Sequence, residues 1–324
     1  MTNAISIQKT SETQNEFLLD RNVTDAMKFI ACLMVAFGHY SGYVLANGLS
    51  DNIIYKAIAA TGGYLGVAIF FFLSGYGLMK SDQKHHLGGA KFFQRRLLKT
   101  YLPAVLVSAL WLGFASLTSM DLLCNKQYFL GVVWRFNDEV MWFVNSIIIM
   151  YVSFRAYLML SSRMIHRYKW LVLTVVCILT YSGLHYFNIG ATLSVPLFFV
   201  GVAVAQYGKQ ICKIFRNVWK VAALILVAIA LLWLFRHDNY LLHGWINYFT
   251  IGIMLLFLSR WNVTMAKLPK WVGSCSYDIY LVHHKVHLAL IYFLTVDKYF
   301  TFIIGTIIFT TLFYKLRLCL LSNI

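Results

Sequence analysis

The chain has 324 residues, 60% of them apolar and only 12% charged, against about 45–50% and about 25% in an ordinary soluble domain. A water-soluble globule is excluded. The formal charge of +16 would suggest nucleic acid in a soluble protein, but here it has to be read against the order of the apolar segments first.

Residues 1–25 are polar and lack the basic n-region and small-residue cleavage site of a secretory signal, so the first apolar helix is expected to stay as an anchor. Apolar runs long enough to span a bilayer recur near 27–46, 62–79, 101–120, 140–160, 170–184, 191–207, 218–235, 241–258, 274–296 and 299–318. Taking alternate segments from the N-terminus, 22 Lys and Arg fall on one side and 5 on the other, with Lys285 inside a span. That asymmetry obeys the positive-inside rule for ten helices. The expected fold is therefore an all-α polytopic membrane protein with about ten transmembrane helices and both termini cytoplasmic. It divides into a polar N-terminal segment (1–25), a single transmembrane domain (26–318) and a short tail (319–324). Orientation and headgroup contact account for the basic charge, so lipids and not nucleic acid are the expected partners, and the inner (plasma) membrane the expected location. The six cysteines (Cys32, Cys124, Cys177, Cys212, Cys275, Cys319) form no CxxC pair and argue against both a structural zinc and a disulfide framework.

A charged group at mid-bilayer costs at least about 2.5–3.5 kcal/mol, so an ionisable side chain inside a span is a functional candidate by default. His39 is the clearest. Asp25, Lys28, Cys32, Val35 and His39 follow spacings of three and four and share one face of the first helix. Eleven steps of about 1.5 Å place His39 about 16 Å from Lys28, in the middle or outer half of the bilayer. A packed, hydrogen-bonded core histidine is the plain alternative, but neutral imidazole is also the side chain suited to take a proton from a hydroxyl near pH 7. His283 and His287 stand at i, i+4, a metal-compatible spacing, yet no HExxH pattern or third ligand accompanies them and no metal is expected. His243 and Asn247 share a helix face and suit either an acceptor path or core packing.

Asp25-x-x-Lys28-x10-His39 resembles the opening helix of the acyltransferase-3 family of membrane transferases, with Lys28 where the family has an arginine. Gly63-Tyr-Leu-Gly66-Val-Ala-Ile-Phe-Phe-Phe-Leu-Ser74-Gly75-Tyr is similar to its FFxLSGY signature. Phe92-Phe-Gln-Arg95-Arg96-Leu-Leu-Lys99-Thr-Tyr-Leu-Pro103 resembles its basic RxxR-type loop, again with a lysine for the second arginine. Met141-Trp142 through Tyr151 is similar to its WF-rich fourth helix, and Ser276-Tyr277-Asp278-Ile-Tyr280-Leu-Val-His283 to its late SYxIYLxH motif.

The resemblance implies transfer of an acyl group, usually acetyl from acetyl-CoA, to a hydroxyl of an envelope polysaccharide or lipid-linked sugar. Acetyl-CoA is then a co-substrate, with Lys28, Arg95, Arg96 and Lys99 suited to its phosphates by charge-assisted hydrogen bonds. Lys28 can equally pair with Asp25 one turn away. His39 becomes the general base, with an acyl-histidine relay as a variant. Its orienting partner and oxyanion donor are sought among Glu139, Asn145, Ser74, Asp278 and Tyr277. Ser74-Gly75 also suits helix packing, and Asp278 also suits balancing Lys285. A glycan transporter or flippase, and a non-catalytic assembly partner of the same fold, are the rival functions. The acceptor and any homo-oligomer are not legible.

Overall fold

The computed structural model describes residues 19–86, 88–118, 141–187, 192–235, 237–260, 269–293 and 299–321. Eleven α-helices occupy them: α1 Arg21–Ala46, α2 Ile53–His85, α3 Gly89–Arg96, α4 Leu102–Leu117, α5 Met141–Ser161, α6 Lys169–Tyr186, α7 Val195–Arg216, α8 Val218–Leu234, α9 Asn239–Arg260, α10 Lys270–Phe293 and α11 Tyr299–Leu321. A π turn, Leu97–Tyr101, joins α3 to α4 in one continuous rod, so the described residues form ten rods.

Eight rods are long and apolar enough to cross a membrane. α8 is apolar but has only 17 residues. α10 has 24, and it is Asp278, His283, His284, Lys285 and His287 that keep it out of the apolar set. The helix richest in chemistry is the one that hydropathy alone would rank last.

Hydropathy also understates some helices, because it senses bilayer thickness and not helix length. α2 begins nine residues before the apolar run at 62, where the Asn52 side chain accepts from the Ile54 N–H at 2.9 Å, and ends at His86 in the left-handed conformation. The basic stretch around Arg95 and Arg96, expected as a loop, is helical instead. Ala, Lys, Gln and Arg are good helix formers, and Phe92 anchors the segment by burying against Tyr151 and Phe154.

Close helix approach sets the architecture. A Cβ on Gly38 would lie 2.6 Å from the Gly63 nitrogen, and one on Gly62 2.6 Å from the Met34 carbonyl, so α1 and α2 touch backbone to backbone. Gly75 and Gly201 do the same for α2 and α7. Such small-residue contacts drive association where lipid removes the hydrophobic incentive. Once Ala31, Met34 and Gly38 face α2, the neighbouring stripe with His39, Tyr40 and Tyr43 is turned toward α10.

Contacts along the rods give their directions. Asp25 lies against Gly273, His39 against His283 and Tyr43 against His287, so α1 and α10 run parallel, as a first and a ninth span must. Ser274 meets Arg317 while Val286 meets Gly305, so α11 runs opposite to α10. The start of α1, the start of α10 and the end of α11 therefore share one end of the bundle.

Candidate active site

His39 is half-buried, with its ring 5.5 Å from that of His283 and 5.8 Å from that of His284. His287 continues the cluster one turn further, edge-on to Tyr43 at 4.7 Å and beside His284 at 6.2 Å. All three α10 histidines are buried, His283 completely. Polar groups this deep persist only where protein surrounds them, and the cluster sits between α1, α10 and α11, where Phe302 lies 6.0 Å from His287. Among the described residues no group of three His, Cys, Asp or Glu side chains is arranged to hold a metal ion.

His283 and His284 are the functional candidates that the sequence did not connect with His39. Three histidines and a lysine within five residues of an otherwise spanning helix were the available signal. What was missing was the knowledge that α1 and α10, more than 240 positions apart, are neighbours.

The other candidates separate by place. Lys28 pairs with Asp25 at 3.2 Å, and Arg21 reaches the other Asp25 oxygen at 3.6 Å. The Asp25 carboxyl fills the space that a side chain at position 273 would occupy. One turn along the same face of α10, the Tyr277 hydroxyl donates to the Thr100 carbonyl at 2.6 Å. Thr100 lies within the π turn, just before Pro103, which has no N–H to donate to the preceding turn. Residues Gly273–Tyr277 of α10 thus join the start of α1, with Lys28, to the basic rod carrying Arg95, Arg96 and Lys99. Arg96 lies over the rings of Phe92 and Tyr151, 5.8 Å from each centroid, which orients its guanidinium plane. Arg95 and Lys99 are exposed.

Ser74 is half-buried beside Gly75, whose Cβ would strike the Phe198 carbonyl at 1.9 Å; the glycine takes the packing role. Since Gly62 is level with Gly38, Ser74 lies about 18 Å along α2 from the level of His39. Asn145 is buried on α5, a helix that reaches α10 through Phe143 and Tyr280, 4.9 Å apart. Asp278 is fully buried and paired with Arg317 of α11 at 2.8 Å, not with Lys285 as its helix spacing suggested. Asn247 donates to the Tyr64 carbonyl and the Ser194 hydroxyl, each at 3.4 Å, which is core packing, while His243 stacks on Tyr64 at 4.8 Å. Glu139 lies outside the described residues.

The arrangement offers a buried imidazole cluster in the bundle and a set of cations at its basic end, joined by one helix. No curated protein and no solved structure matches the chain. Residues 23–315 match the family model described as an acyltransferase domain, and with that match over nearly the whole bundle the chain belongs to the acyltransferase-3 family of membrane acyltransferases.

Proposed function

We propose that this acyltransferase moves an acetyl group from cytoplasmic acetyl-CoA to a hydroxyl of an envelope polysaccharide or lipid-linked sugar, with His39 as general base, in the inner membrane. The observation that carries this reading is the packing of the half-buried His39 against the buried His283 and His284. The acceptor oxygen attacks the thioester carbonyl carbon, forming the C–O bond as the C–S bond breaks. The hydroxyl proton passes to His39 and from there to the sulfur of departing CoA. Arg96, oriented by Phe92 and Tyr151, with Arg95, Lys99 and Lys28, holds the phosphates of CoA at the basic end. The extended pantetheine arm suits the distance from that end to the histidines.

Isotope from labelled acetyl-CoA is followed into envelope polysaccharide in membranes carrying the wild-type protein or H39A. Incorporation should fall about 10²–10⁴-fold in H39A, the range of general-base catalysis. Equal incorporation in the two would refute the role of His39, and transport of unmodified glycan without acetyl-CoA would favour a transporter.

A further inference from the structure

We infer that His283 is the positioning partner of His39: its unpaired Nε2 accepts the N–H of His39 and so presents the other nitrogen of His39 to the acceptor hydroxyl. This rests on the reading of His39 as the base and supplies what that reading lacks, the group that orients it.

The tautomer of His283 follows from one contact. Its Nδ1 lies 3.1 Å from the Ile279 carbonyl oxygen. A carbonyl only accepts, so in the neutral ring the proton is on Nδ1 and the lone pair is on Nε2. That Nε2 is buried without a hydrogen-bond partner among the described residues, and the residue is 0% exposed. Buried acceptors are normally satisfied, and one left open beside a candidate site calls for an explanation.

His39 provides it. Two imidazoles joined by an N–H···N bond of about 3 Å have centroids roughly 5 Å apart, and the observed separation is 5.5 Å with the planes tilted by 37°. His284 is slightly further from His39, at 5.8 Å and nearly perpendicular, at 72°. The chain of groups is then the Ile279 carbonyl, Nδ1–H of His283, Nε2 of His283 and N–H of His39. It is the arrangement in which a hydrogen-bonded neighbour selects the tautomer of a catalytic imidazole, built here from a neutral ring instead of a carboxylate. A neutral partner suits this depth, where a second unpaired charge is costly. Among the described residues, the titratable groups packed on the His283 ring are His39 of α1 and, on its own helix, His284 and Tyr280, the last 5.8 Å away.

Gln and Met have the same length, but only Gln carries an acceptor, so H283Q and H283M separate acceptance from space filling. In full-length, ¹⁵N-histidine-labelled protein in detergent, wild-type His283 should be protonated on Nδ1. H283M should lower the His39 titration midpoint by about one unit, and H283Q should return it toward the wild-type value. With acetyl-CoA as donor, H283M should lose about 100-fold in kcat with KM for acetyl-CoA unchanged, and H283Q should recover about tenfold of that. A His283 protonated on Nε2, readable in the wild type even if a variant fails to fold, overturns the inference, as does an H283M protein with the His39 midpoint unmoved. A wild type that transfers no acetyl while H283M still moves the midpoint keeps the pair and refutes the acetyl transfer reaction alone.

Discussion

Replacing Arg317 by methionine tests how α10 is held. Asp278 is 0% exposed and its Oδ2 accepts from Arg317 at 2.8 Å, while its Oδ1 has no partner among the described residues. At an effective permittivity of about 20 the attraction at that distance is roughly 6 kcal/mol, set against the cost of removing both ions from water. R317M deletes the attraction and leaves the carboxylate where it is. Breaking one side of a buried pair costs about 3–5 kcal/mol, a factor of roughly 10²–10⁴ in the unfolding equilibrium. For a chain of this size that corresponds to about 4–7 °C in Tm. The double variant D278N/R317M removes both charges and should recover most of the loss, since neutral replacement of a buried pair is often nearly free. Thermal unfolding of the four proteins in one detergent gives the coupling energy directly. A melting change below about 1 °C in R317M, or a double variant as unstable as the sum of the singles, would refute the claim that this pair clamps α10 to α11.

The α2–α7 crossing predicts opposite outcomes for two glycines. G201A places a methyl 2.1 Å from the Phe72 carbonyl and should cost about 1–3 kcal/mol by overpacking, whereas G77A, which meets nothing within 4 Å, should be neutral or stabilise by up to about 1 kcal/mol; equal melting temperatures would contradict the contact. Y277F removes the donor to Thr100 and should cost about 0.5–1.5 kcal/mol. Hydrogen exchange in peptides spanning 97–105 should rise about twofold to tenfold, and unchanged exchange there would mean that the π turn does not depend on Tyr277.

Much of the fold was legible because bilayer physics constrains the chain so tightly. The all-α architecture of ten rods, eight of them long and apolar enough to span, and the shared end of first and last rods follow from apolar length and Lys/Arg placement, and the directions of α1, α10 and α11 agree with them. His39 was legible as a candidate for the same reason: an ionisable group in the middle of a spanning helix stands out against its apolar surroundings. The helical form of the segment from Gly89 to Arg96 was not, since a run of cations resembles a loop until Phe92 is seen to bury.

Periodicity assigns residues to a face, but it does not say which helix that face meets. On α10 alone Asp278 has Lys285 two turns away, and only the packing of α11 offers Arg317 instead. The union of His39 with His283 likewise depends on Gly38 and Gly62, whose missing side chains let α2 close on α1 and turn the histidine stripe toward α10. Local sequence determined the number, order and polarity of the rods, because each must satisfy the membrane by itself. The tertiary structure decided which polar groups meet, because that depends on backbone contacts between helices far apart in the chain.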